Sequence, residues 1–94
     1  MDTSLRHAIG EAIKAFRTAR SISQESLGPS QSYMSELERG VKKNVTFVKI
    51  DQVSEAIGVH PITIMTAAYR LSNPETSLQE LLARVEREMA EVDL

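Results

Sequence analysis

The stretch Ser23-Gln24-Glu25-Ser26-Leu27-Gly28-Pro29-Ser30-Gln31-Ser32-Tyr33-Met34-Ser35-Glu36-Leu37-Glu38-Arg39-Gly40 decides the fold. Ser23 suits a helix N-cap, and Glu25 places an anion in the first turn, where the helix dipole favours it. The helix so opened can run only to Leu27, because Gly28-Pro29 breaks it. Ser30 caps a second short helix, which runs to Arg39 and stops at Gly40, a residue suited to the left-handed position beyond a helix end. At about 100° per residue, Met34 and Leu37 point one way, with Glu38 at the edge of their face. Ser32, Ser35, Glu36 and Arg39 point the other way. The outward face is short, polar and rich in hydrogen-bonding side chains, as a helix entering a DNA major groove requires.

The flanks read as further helices. Upstream, Leu5, Ile9, Ile13 and Phe16 recur at helical spacing and predict an amphipathic helix over about 4–20, with Ser4 as its N-cap. Downstream comes the basic loop Val41-Lys42-Lys43-Asn44-Val45, after which Thr46 caps a helix whose inner face is Phe47, Ile50, Val53 and Ile57 and which ends at Gly58. His60-Pro61 starts the next, since proline at the first helical position loses no hydrogen bond. Ile62, Met65, Ala68 and Tyr69 are its expected buried side. Ser72-Asn73-Pro74 forms a joint, and a last, longer helix is expected over about 75–92, with Ser77 and Glu80 spaced as a capping box. No stretch alternates as a strand does. The fold class is all-α: a five-helix domain over 1–72 with an additional C-terminal helix over 73–94.

Composition narrows the function. The 94 residues are 41% hydrophobic and 26% charged, within the range of globular chains and unlike a disordered one. No apolar run approaches the roughly 20 residues that cross a bilayer, and no signal peptide is expected. The absence of cysteine excludes disulfides and thiolate zinc sites, and it suits the cytoplasm. The net charge of −2 hides two segments. Residues 1–70 carry nine Lys/Arg against seven Asp/Glu, and residues 71–94 carry two against six. His7 and His60 have no companions at metal-ligand spacing, and Ser30, Ser32 and Ser35 have no paired base. Neither a catalytic site nor a cofactor or metal is expected.

The helix pair resembles the Cro/C1-repressor (XRE) family of helix-turn-helix regulators. The resemblance rests on Ser23-Gln24 with Leu27, then Ser30, Tyr33-Met34-Ser35 and Leu37-Glu38-Arg39-Gly40, and later Ile57-Gly58-Val59-His60-Pro61, and it spans about residues 6–70. It implies a bacterial or phage DNA-binding regulator of repressor type. By that resemblance Gln31, Ser32, Ser35 and Glu36 face base edges, with Gln31 suited to adenine and Glu36 to a cytosine amino group. Gln24, Ser30, Tyr33, Arg39, Lys42 and Lys43 lie along the DNA backbone, and Arg17 pairs with Glu38 as a structural ion pair. The chain departs from the family in two places: only Gly28-Pro29 joins Leu27 to Ser30, where family members have a longer connection, and the basic loop has Asn44-Val45 where a proline is common. Read without the resemblance, the helix pair is equally a corner of a protein-binding domain, Lys42 and Lys43 a solvated loop, and Glu36 a solvent residue.

Leu78, Leu82, Val85, Met89 and Val92 are spaced four, three, four and three, which is a heptad seam. The seam either folds back onto its own domain or forms a dimer interface, joined there by Leu81, Tyr69 and Leu71. Glu86 and Glu88 flank it on both sides, which disfavours parallel pairing. The expectation is a homodimer that reads a palindromic operator on double-stranded DNA, with a regulatory protein partner left open. An antitoxin-type autorepressor and a helical adaptor that binds only protein are the other readings.

Overall fold

The computed structural model describes residues 3–94. Among these residues the chain forms five α-helices, one turn of 3-10 helix and no β-strand. They are α1 (Thr3–Ala19), the 3-10 turn (Gln24–Leu27), α2 (Gln31–Arg39), α3 (Phe47–Ile57), α4 (Pro61–Ser72) and α5 (Leu78–Met89). Ser4 lies inside α1 rather than capping it.

Caps set most of the boundaries. Ser30 Oγ accepts from Tyr33 N at 3.1 Å, Thr46 Oγ1 from Lys49 N at 3.2 Å, and His60 Nδ1 from Ile62 N at 3.0 Å. Gly40 and Gly58 close α2 and α3 at φ 75° and 92°, where a side chain would be strained. Ser77 and Glu80 form the expected capping box, at 3.1 Å in both directions. That box fixes Leu78 as the first residue of α5, so α5 is shorter than expected at both ends. Val92 lies beyond its last turn.

The core sits where α1 crosses α4 and α2. Ile9 and Ile13 of α1, Met34 and Leu37 of α2, Val53 of α3 and Ile64 of α4 are all at or near zero exposure. Gly10 makes the α1–α2 crossing possible. A β-carbon there would lie 2.4 Å from Leu37 O and 2.6 Å from Glu38 O, so two backbones meet where only glycine fits.

Three inward assignments are corrected. Phe47 is 76% exposed, because it occupies the first position of α3, beyond the edge of the core that Ile50 reaches. In α4 the buried positions are Ile64 and Ala68, four residues apart and facing α1, whereas Ile62 and Tyr69 are exposed at 64% and 44%. Met65 packs partly buried against the core, as expected.

Candidate nucleic-acid interface

The outward face of α2 is built by three local devices. Ser30 starts the helix, Gly40 stops it, and Met34 with Leu37 anchors it in the core. Nine residues suffice because the anchoring face is fully buried; a free helix of this length is unstable in water. Turning Met34 and Leu37 inward leaves Gln31, Ser32, Ser35, Glu36 and Arg39 around one open hollow of about 320 Å³. These are the four expected base-facing residues together with one expected backbone residue.

The expected ion pair is present. Arg17 Nε donates to Glu38 Oε2 at 2.6 Å and a terminal nitrogen donates to Oε1 at 3.0 Å, a two-point contact. The other terminal nitrogen donates to Ile22 O at 2.8 Å. The Glu38 side chain is 4% exposed and that of Arg17 12%. Hydrogen bonding to Glu38 raises the Arg17 pKa from its ordinary value, with burial opposing and the charge of Glu38 adding. A fork-on-carboxylate pair at this depth holds three segments together: α1, the chain entering the 3-10 turn, and α2.

Gln24 joins this lock. Its Nε2 donates to Glu38 Oε1 at 3.0 Å, so the side chain expected on a DNA phosphate first serves to fix α2. An amide nitrogen has two hydrogens, and the second remains for an outside acceptor. The single 3-10 turn explains the geometry: with only Gly28 and Pro29 before Ser30, Gln24 is drawn over Glu38. Beside it, Lys14, Gln24, Gln31, Ser35 and Arg39 line a polar cleft of about 520 Å³.

On the other flank stands a basic group. Tyr33, half-buried, has Lys42 Nζ 4.7 Å and Lys49 Nζ 5.4 Å from its ring centroid, within cation–π range. Burial raises the Tyr33 pKa above its ordinary value. Lys42 also reaches Glu36 Oε1 at 3.4 Å, with both side chains partly in solvent. Such a pair is weak, and Glu36 stays available to a stronger donor. Lys43 is exposed. Arg39 Nε rests on Ser35 O at 3.3 Å. Lys14 and Lys49 are additions to the expected set. Lys49 sits at the third position of α3, and only the approach of α3 to Tyr33 reveals it.

The seam of α5 is open. Leu78, Leu82, Val85, Met89 and Val92 are 40–54% exposed, and Leu81, on a neighbouring face, is the one partly buried residue of the helix. Among the described residues no cluster of His, Cys, Asp or Glu could hold a metal, and no helix is long and apolar enough to cross a membrane.

No protein-family model, no curated protein and no solved structure matches this chain.

Proposed function

We propose that the chain is a sequence-specific regulator of transcription, a repressor-like helix-turn-helix protein that binds a palindromic operator on double-stranded DNA as a homodimer. The observation that carries this reading is the α2 face. Gln31, Ser32, Ser35 and Glu36 project from a short helix whose rotation is fixed by the two-point Arg17–Glu38 contact. A helix that only lines a surface has no need of so rigid a mount, whereas base readout depends on placing donors and acceptors correctly. Arg39, Tyr33, Lys42, Lys43 and Lys49 lie to its sides, where phosphate contacts position a protein without reading sequence. The acidic α5 belongs away from DNA, and its open seam supplies the dimer contact. Two copies related by a two-fold axis would present their α2 helices to half-sites about 34 Å apart.

A second reading is supported by the same open seam: an autorepressor whose α5 also takes a different protein, as antitoxins do. The XRE-type fold is part of the first proposal and is shared by the second.

The test is selection from a random duplex pool at low salt and at about 150 mM, with affinity then followed against salt. The reading expects an enriched inverted repeat. With about 6–10 phosphate contacts, affinity should fall by roughly 10³–10⁵ between 50 and 200 mM salt. A folded protein that enriches no sequence at either salt would remove the DNA reading and leave the helical adaptor.

A further inference from the structure

The open seam has an internal symmetry. Leu78, Leu82, Val85, Met89 and Val92 are arranged about Val85, with Leu82 and Met89 three and four residues away and Leu78 and Val92 seven on either side. An antiparallel pair of α5 helices with Val85 on the two-fold axis therefore sets Met89 against the partner's Leu82, and brings Val92, in the turn that follows α5, toward the partner's Leu78. Leu78 and Leu82 do not stand alone. With Phe16 of α1 and Ile62, Thr66 and Ala67 of α4 they line a mostly apolar groove of about 410 Å³.

We infer that two copies exchange their α5 ends, so that Met89 and Val92 of each lie in the α1–α4 groove of the other, over Phe16 and Ile62. Three observations choose a second copy as the occupant. The first is the self-complementary spacing, which an isologous contact requires. The second is area: the accessible surface is 6310 Å², about 900 Å² above the roughly 5,400 Å² of a compact monomer of this mass. That excess matches one partner's share, about 800 Å², of a standard interface. The radius of gyration points the same way, 13.9 Å against about 12 Å for a compact chain of this length. The third is charge. The Arg70 side chain edges the groove and makes no hydrogen bond or ion pair with any described residue. The end of α5 and the residues after it that would arrive there carry Glu86, Glu91 and Asp93, besides Glu88 held by its own Arg84, against one base, Arg87. Parallel helices would instead bring the two acidic ends together.

The exchange rests on the homodimer part of the reading above. Its test uses no DNA, so its failure leaves DNA binding standing, and a failed DNA selection leaves the exchange standing. The chain has no cysteine, which makes disulfide trapping clean. Full-length Met89→Cys and Thr66→Cys proteins, carrying different tags, are mixed and oxidised, and the native protein is weighed by sedimentation equilibrium. Antiparallel pairing holds the two Met89 positions about 12 Å apart along the helices, too far for a disulfide. The exchange therefore expects a dimer and a mixed Met89–Thr66 disulfide in preference to a Met89–Met89 one. Ile62→Glu, at a position 64% exposed in the single chain, should keep the helical spectrum and melting of a folded protein while the mass drops to a monomer. A monomeric native protein, preferential Met89 self-pairing, or a folded Ile62→Glu dimer would each overturn it.

Discussion

The α2 region and α5 are helices of similar length held in opposite ways. α2 has its apolar face fully buried, its Glu38 carboxylate bound from two sides, and both ends capped. α5 has the better N-terminal cap, a complete capping box, yet among its described residues none is buried. A cap decides where a helix starts, and it does not decide what the helix packs against. The first helix is finished within the chain, so only its polar side is left to act. The second is unfinished, and its apolar side is what it offers.

The sharpest way to break this contrast is Arg17→Ala. It strands Glu38 at 4% side-chain exposure, and removing one partner of a buried pair costs about 3–5 kcal/mol. Against a total stability of about 5–15 kcal/mol, chemical denaturation should show a large loss, and under the proposed function DNA binding should fail because α2 is no longer held. Removing the α5 cap should do far less to the body.

Gly10→Ala comes next. Overpacking a tight core costs about 1–3 kcal/mol, more than the roughly 0.5–1 kcal/mol a helix gains when alanine replaces glycine. The added methyl meets backbone carbonyls rather than a side chain that can swing away, so a net loss of stability in thermal melts is expected. Ala83→Gly, in exposed mid-α5, should cost only the propensity difference.

Ser54→Ala should run in the other direction. The Ser54 hydroxyl is fully buried and its oxygen has no hydrogen-bond partner among the described residues. Burying such a group unpaired costs about 1–3 kcal/mol by mutational data, so its removal should raise the denaturation midpoint. A lower midpoint would show that the hydroxyl has a partner in solution.

The smallest effect concerns pH and separates the two regions. Hydrogen bonds from the Ser77 backbone, then its side chain, lower the Glu80 pKa. A lowered folded pKa means that the contribution is present above the ordinary carboxylate range and lost as pH falls through the lowered value. Amide exchange should therefore show the start of α5 opening on acidification before α2 does. Simultaneous opening would mean that α5 is not independent of the body.

These contrasts also explain what could be read from the chain itself. Ser30, Thr46, Gly40, Gly58 and the Ser77–Glu80 box were legible, because capping depends on residues a few positions apart. The Arg17–Glu38 pair came from the family resemblance, and spacing alone would not have produced it. Gly10 was silent: a glycine inside a helical pattern shows only its cost, and the carbonyls it admits lie on α2. Phe47, Ile62 and Tyr69 were misplaced because periodicity groups residues on a face without saying where along the helix that face meets a neighbour. At α4 the choice between Ile62 and Ile64 is made by α1. In the candidate site, the face of α2 was readable from about 100° per residue. The turn of Gln24 toward Glu38, and the arrival of Lys14 and Lys49, were not, since each depends on another segment's position.

The proposed function requires that the outward side chains of α2 read bases. The most direct measurement repeats the random-pool selection with Gln31→Ala and Glu36→Gln beside the native protein, each checked for an unchanged melt. Each variant should relax or change preference at one base-pair position in both half-sites, at a cost of about 1–3 kcal/mol there, and keep the spacing and salt dependence. An unchanged motif from both folded variants would mean that α2 does not read the sequence.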